Sequence, residues 1–515
     1  MQHDVYVLGI DSGTQSLRAG IFDLQGNPVI FATKEYSISH AQVGWAEQSA
    51  NDWWEAAKIT VNECMQKSRI DPEKIVGMSV DGTSCTVLPV DRQGNPLRNA
   101  FLWMDIRAHK EAELVNATGH PILKYVGGQE SPEWMIPKAL WLKKNEPDIY
   151  KSAFRIIEST DWLMFKLTGR WTASKCNVTC KWNYASPEGG WADDFLKEVG
   201  LEDIREKWPT DVLNMGDYAG ELTEQTAKEL GLKKGTIVAQ GGIDAYAGML
   251  GLATVKPGRL ALVIGTSTCH MAFSDKPIWD SGVWGPYPDA ILPNSWVLEG
   301  GQTATGSIVQ WFIDNFAYKE KFEAEAKGIN IYQLLDQKAA EVGIGAEGLV
   351  LLDYWQGNRT PIRDSLLRGA IWGLSLKHTG GHIFRSIYEG TAFGTRDILE
   401  NLDQHGFKAR QIYACGGGAK SDLWLQIHAD VCNVPIYLTK VSEAVALGTA
   451  ICAAVGAGKF TNLVEAAESM VQISKKIEPN PDNQKAYDFY FDKYKRTYPG
   501  LKDLMHEVTQ KVESM

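Results

Sequence analysis

Residues Val5-Tyr-Val-Leu-Gly-Ile-Asp-Ser-Gly-Thr-Gln-Ser-Leu-Arg-Ala-Gly-Ile-Phe22 read as strand, turn, strand. Val5 to Ile10 is an apolar run and Leu17 to Phe22 is another. Between them, Asp11-Ser12-Gly13-Thr14-Gln15-Ser16 is a polar break with one glycine. A tight turn of this composition presents backbone N–H groups and hydroxyls, which suit phosphate oxygens. The carboxylate at its start, Asp11, suits Mg²⁺ held partly through water, because that ion keeps several waters. Taken alone, the segment is better read as a plain hairpin turn.

It does not stand alone. Leu260 to Ile264 is apolar, Gly265-Thr266-Ser267-Thr268 is a small polar break, and Cys269 to Phe273 returns as a strand. Two such units, near residues 5 and 260, divide the chain into halves of about 250 residues, a usual size for a large domain. The boundary is expected within Gly251 to Pro257. A nucleotide clamped between two domains would use one hairpin from each. A weaker echo, Asp23-x-Gln-Gly-Asn-Pro28 and Asp91-x-Gln-Gly-Asn-Pro96, is what two similar turns would give.

Helical segments separate the strands. Asn51 to Lys67, with Asn51 as expected cap, Pro137 to Asn145 and Thr223 to Leu230 fall in the first half. His382 to Leu402, Ser421 to Cys432 and the small-residue run Ala444 to Ala457 fall in the other half. Strands mixed with helices in both halves imply an α/β fold. The charged last forty residues are expected to be a helical surface tail.

The 515 residues include 52 Lys plus Arg and 63 Asp plus Glu, a net charge of −11. Such a balance gives no global attraction for nucleic acid or an anionic membrane. No run reaches the roughly 20 apolar residues of a membrane span. Met1-Gln2-His3-Asp4 lacks the character of a signal peptide. Eight Cys without framework spacing point to a reducing, cytoplasmic setting. Cys176 and Cys180 have no further pair or His nearby, which argues against zinc. The sequons at Asn116, Asn177 and Asn358 are then chance matches. The P-loop, G-x-G-x-x-G, H-E-x-x-H and G-x-S-x-G patterns are absent. A glycine cluster, Gly416-Gly417-Gly418-Ala419-Lys420-Ser421, follows an apolar strand and opens a helix. It suits either close approach of a nucleotide to backbone N–H groups or a simple strand–helix turn.

The chain resembles the FGGY carbohydrate kinases. Gly369-Ala-Ile-Trp-Gly-Leu374 followed by His382-Ile-Phe-Arg-Ser-Ile-Tyr-Glu389 fits the C-terminal signature of that family. Lys138-Ala-Leu-Trp-Leu-Lys-Lys-Asn145 fits the N-terminal one more loosely, with Ala139 where a larger apolar residue is usual. The resemblance covers about residues 5 to 475. It implies two ribonuclease-H-like domains of the actin and hexokinase type flanking a cleft. Residues 1–253 would bind sugar and carry the catalytic base, 254–475 would bind ATP, and 476–515 would form the tail. Gly241-Gly242-Ile243-Asp244-Ala245 resembles the segment with the family's catalytic aspartate. Read from the residues alone, Asp244 is as well explained as a helix cap. After two glycines, it would let a substrate come close to the backbone.

Four segments resemble the ribulokinase branch: Asp81-Gly-Thr-Ser-Cys-Thr86, Trp103-Met-Asp-Ile-Arg-Ala108, Tyr125-Val-Gly-Gly128 with Ser131-Pro-Glu133, and Cys180-Lys-Trp-Asn-Tyr184. The segment from Trp103 to Ala108 is most similar to D-ribulose kinases, although His is usual where Ile106 stands. Ser84-Cys85-Thr86 is closer to L-ribulokinases. By resemblance, Ser84, Lys181, Asp244 and Glu299 contact a ketopentose, with Trp103 or Trp182 covering an apolar sugar face. Gly13, Thr14, Gln15, Arg18, Gly265, Thr266, Gln310, Gly416, Gly417 and Gly418 contact ATP, and Asp11 and Asp244 hold Mg²⁺. The expected activity is phosphorylation of the 5-hydroxyl of D-ribulose, with L-ribulokinase or xylulokinase as alternatives. A chaperone-like ATPase or a non-catalytic ATP-binding regulator is the alternative from another class. A homodimer is expected from the family.

Overall fold

The computed structural model describes residues 5–279 and 282–514. The expectation about Met1 to Asp4 lies outside these residues.

The opening hairpin becomes β1 (Tyr6–Ser12) and β2 (Ser16–Asp23), continued by β3 (Pro28–Glu35). With β4 (Ile75–Gly82), β5 (Tyr218–Glu221) and β6 (Ile237–Ala239) they form a six-stranded sheet in the order β5-β6-β4-β1-β2-β3. The other half repeats the plan. Here β7 (Arg259–Ile264), β8 (Thr268–Ser274), β9 (Trp284–Pro288), β10 (Trp296–Gln302), β11 (Gln411–Cys415), β12 (Ile436–Thr439) and β13 (Ile473–Ile477) make a seven-stranded sheet. Its order is β9-β10-β8-β7-β11-β12-β13. Each sheet contains the same five-strand unit. Three antiparallel strands are extended by two parallel ones on the far side of the first strand. Parallel neighbours require crossovers, which is where the helices enter. Central strands such as β1 are buried along most of their length and read as continuous apolar runs for that reason.

The Asp23 and Asp91 echoes are the same local device. In each, the Asp carboxylate accepts backbone N–H groups two and four residues on, plus the amide of Asn27 or Asn95. The strand after Asp81 does not return along its own sheet. Val87–Val90 joins a separate four-stranded sheet, paired with Arg155–Glu158.

The expected helices form, with one change of cap. Helix α1 (Ala50–Ser68) is preceded by Ser49 as N-cap, so Asn51 lies within the first turn. Two further helices position the site: α2 (Lys175–Lys181) and α3 (Asp244–Gly251). Helix α4 (Ala444–Gly456) is apolar on all sides, as a fully buried helix should be. It packs against α3 and across β1, β2 and β4 of the first sheet, although it belongs to the C-terminal half by sequence. Small residues make this approach possible. A Cβ on Gly9 would lie 2.3 Å from the Ala446 carbonyl oxygen, and one on Gly448 would lie 1.7 Å from that of Ala247. The first hydrophobic core accordingly contains Val7, Leu8 and Ala247 together with Leu447, Ile451 and Ala454.

The end of the chain is not a free surface tail. It forms the 33-residue helix α5 (Pro481–Glu513). Its Tyr487, Phe491 and Tyr494 are buried in the core of the C-terminal half. Each such side chain contributes about 2–3 kcal/mol of apolar burial. The Tyr494 hydroxyl donates to Asp353, which also accepts from Gln302 at the end of β10.

Candidate active site

Three acids approach one another at the ends of β1, β4 and α3. Asp11 is directly opposite Asp81 across the parallel β1–β4 pair. Thr449 of α4 donates its hydroxyl to Asp81 Oδ2, while Asp81 Oδ1 is buried without a partner. Burial lifts the Asp11 carboxyl to about 6; Arg18 works against this and Glu443 works with it. Asp81 is held well above the usual range by burial and then by the Asp11 charge. Burial, followed by the charges of Asp11 and Glu299, raises Asp244 to about 7 despite a hydrogen bond from the Ala245 N–H. Asp244 is the first residue of α3 and Ile243 is its N-cap, so the carboxylate is not spent as a cap.

The two glycines before it serve the fold. A Cβ on Gly241 would lie 2.0 Å from the Val80 carbonyl oxygen, and one on Gly242 2.9 Å from Cys176 and Met215. Gly241 lets the α3 start press against β4 and Gly242 lets it pack on α2 and Met215, rather than letting a substrate reach the backbone. This packing carries Asp244 to the Asp11–Asp81 pair.

The acids suit a magnesium ion. Two buried carboxyls in register, each raised by burial and Asp81 also by the charge of Asp11, would be relieved by a positive charge beside them. Among the described residues no three His, Cys, Asp or Glu side chains form a direct ligand shell. An ion retaining most of its waters needs none.

Lys181 and Glu299 close the other side, one from each half. Lys181 Nζ is 3.8 Å from Glu299 Oε2 and 3.5 Å from the Tyr287 hydroxyl, and it sits 4.8 Å over the Trp134 ring. Tyr246 donates to Glu299 at 3.3 Å. Burial pushes the Glu299 carboxyl up, but Lys181 and Arg359 outweigh it and keep it ionised. Burial opposes the charge on Lys181, and Tyr287 and Glu299 overcome it. Cys269, on β8 directly after the Gly265 hairpin, feels the charges of Glu299, Arg359, Asp244 and Lys181. That hairpin therefore ends within electrostatic reach of Asp244, Lys181 and Glu299.

On its other side is a cavity of about 1230 Å³. Gly265, Thr266, Gln310, Gly417 and Gly418 all line it, with Tyr332, Tyr388 and Trp424. Gly416 adjoins it with a positive φ of 91°, and a Cβ there would lie 2.5 Å from the Ile264 carbonyl oxygen. A Cβ on Gly417 would meet nothing within 4 Å, so that glycine leaves open the space a ligand can fill. Gln310 is held by Tyr332 at 2.7 Å and by Asp314 at 2.8 Å.

The Asp11 hairpin does not line this cavity. Thr14 accepts from the Trp103 indole at 2.9 Å, Gln15 accepts from the Tyr36 N–H, and Gly13 accepts from the Tyr36 hydroxyl. Arg18 is paired with Glu443. Ser84 is part-buried beside Cys85, and Trp103 is 39% exposed. Trp182 is 1% exposed and packed on Trp191 and Trp208, so it is a core residue and not a cover for a sugar. Asp81, Tyr246, Tyr287 and Arg359 are site residues that sequence reasoning does not single out. Asp81 stands in a quoted segment, and its register against Asp11 is the signal that sequence lacks.

Family models agree with the two-half geometry. Residues 6–251 match the N-terminal domain, and residues 260–457 the C-terminal domain, of the FGGY family of carbohydrate kinases. The chain belongs to that family. This FGGY kinase is 38% identical to an FGGY carbohydrate kinase domain-containing protein of Xenopus laevis, over 94% of each chain. It is 34% identical to a ribulokinase of Geobacillus thermodenitrificans, covering 96% of this chain and 94% of that one. A solved structure described as a xyloylose kinase from Brucella ovis superposes with a TM-score of 0.86 at 27% identity, over 97% of this chain and 100% of that one. The FGGY kinase is thus a phosphotransferase acting on a sugar hydroxyl, with the two-domain actin and hexokinase-like fold. No helix among its described residues is long and apolar enough to cross a membrane.

Proposed function

We propose that the chain transfers the γ-phosphoryl group of ATP to the 5-hydroxyl of a ketopentose, D-ribulose first, giving ribulose 5-phosphate and ADP. The observation that carries this reading is the meeting of Asp244, Lys181 and Glu299, drawn from both halves, at the strand whose hairpin borders the large cavity. The ribulokinase-named relatives and the Trp103-Met-Asp-Ile-Arg-Ala108 segment support a ketopentose.

Adenosine occupies the cavity over Gly417, and the phosphates lie between the Gly265 and Asp11 hairpins. Asp11 and Asp81 would hold Mg²⁺ through its waters, and the ion would supply positive charge beside the transferred phosphoryl group. Lys181 and Glu299 orient the sugar hydroxyls by charge-assisted hydrogen bonds. Asp244 accepts the proton of the attacking 5-hydroxyl as the oxygen–phosphorus bond forms and the bond to ADP breaks. Approach of the two halves would exclude water from this transfer.

ADP release measured over a panel of ketoses and polyols at matched concentration tests the assignment. Highest kcat/KM for D-ribulose supports it; a preference for L-ribulose or xylulose corrects the sugar. ATP hydrolysis independent of any sugar would replace the kinase reading with a chaperone-like ATPase.

A further inference from the structure

Ser84 and Lys181 stand on different chain segments, and neither segment is held in place by a regular sheet pairing. One buried carboxylate joins them. Glu158, fully inaccessible at the end of the strand Arg155–Glu158, accepts three hydrogen bonds. Its Oε2 receives the Cys85 backbone N–H at 2.9 Å and the Asn177 amide at 2.7 Å. Its Oε1 receives the Trp182 indole N–H at 2.6 Å. Cys85 follows Ser84; Asn177 lies within α2, which carries Lys181, and Trp182 ends that helix. The same peptide segment is gripped from its other end. Lys138, also inaccessible, donates to the Cys85 carbonyl at 2.8 Å and to the Leu102 carbonyl, beside Trp103, at 2.6 Å. Cys85 has a positive φ of 63°, a strained setting for a non-glycine residue that such a two-sided grip can maintain.

We propose that Glu158, with Lys138 as its counterpart, is a positioning residue that sets the separation of Ser84 from Lys181 and thereby the choice of ketose. This rests on the ketopentose-kinase reading above. Glu158 is too deeply buried to touch substrate. All three of its partners are donors, which favours the ionised carboxylate against the upward push of burial. Glutamine supplies one acceptor oxygen in place of two and sets its own N–H₂ against a donor.

The experiment compares the parent with Glu158→Gln and Trp182→Phe, and with Glu389→Gln as a control. Glu389 is an equally buried carboxylate in the C-terminal half, held by Arg385, Tyr487 and the Gly345 N–H and sharing no hydrogen bond with Ser84, Lys181 or Glu299. The parent is first assayed on the ketose panel: absence of any ketose phosphorylation there defeats the ketopentose reading, not the positioning role. With an active parent, Glu158→Gln is expected to raise KM for the preferred ketose about tenfold or more and to narrow the kcat/KM ratio between ketose epimers. KM for ATP should stay within about twofold. Trp182→Phe, which removes one donor and keeps most of the ring volume, should move the same parameters in the same direction by less. It serves alone if Glu158→Gln fails to fold. Glu389→Gln should lower Tm while leaving ketose KM and selectivity unchanged. Ketose KM and epimer selectivity within about twofold of the parent in the folded site variants overturn the proposal. So does a profile matching that of Glu389→Gln.

Discussion

Replacing Asp244 by Asn tests the phosphoryl-transfer scheme and the electrostatics behind it together. The substitution keeps the size of the side chain and removes the proton acceptor. Loss of a positioned general base costs roughly 10²–10⁴ in kcat, or about 2.7–5.4 kcal/mol of transition-state stabilisation. Sugar affinity should stay within about tenfold, because Lys181 and Glu299 remain. The parent carries its own signature. Its Asp244 carboxyl is raised from 3.8 to about 7, chiefly by burial. Because the base acts ionised, kcat/KM should fall tenfold for each pH unit below about 7 and level off above it. The same shift predicts a stability effect. The folded chain binds this proton more tightly than the unfolded chain. The carboxylate therefore costs nothing below about pH 4, costs more as pH rises towards 7, and costs a constant amount above that. Asp244→Asn removes the cost, so its Tm gain over the parent should be absent near pH 4 and full at pH 8. A carboxyl raised from 3.8 to about 7 puts an upper bound of about 4 kcal/mol on that gain. Rates are read by coupled ADP release over pH 5–9, and stability by calorimetry at both ends of the range. A near-normal kcat in the variant would refute the base assignment. A parent kcat/KM that stays level down to pH 5 would refute the raised carboxyl.

Gly417→Leu should fill open space in the large cavity and raise KM for ATP at least tenfold, with ketose binding by calorimetry unchanged. Lys181→Met leaves Glu299 without its nearest cation, so ketose affinity should drop at least tenfold, read by isothermal titration. Gly448→Ala drives a methyl group into the Ala247 carbonyl, and overpacking of this kind costs about 1–3 kcal/mol, read by urea denaturation.

The fold was legible because both hairpins carry a short-range signature. Apolar runs of five or six residues flank a polar break, and each predicts its own strands without knowledge of the rest. The Gly416 cluster was legible for the same reason. Residues whose meaning depends on distant partners were not. Asp81 gains its role only through the parallel register with Asp11, and Glu299 was reached only through the family resemblance, because the lysine it faces comes from the other half. The tail is helical as read, but its buried face was missed because charged residues on α5 dominate its composition, while the three aromatic residues that fix it are spaced along one side. Trp182 resembled a sugar platform because its neighbours are site residues; its indole N–H instead serves Glu158.

The placement of α4 has a consequence in time. The first half of the chain is synthesised by residue 253, yet the helix that completes its core, Ala444–Gly456, follows roughly 190 residues later. At about 5–20 residues per second, the ribosome needs roughly 10–40 s to supply it. During that interval the nascent first half holds Val7, Leu8 and the inner side of α3 without their cover. Final folding of the first half waits for the second half to be made.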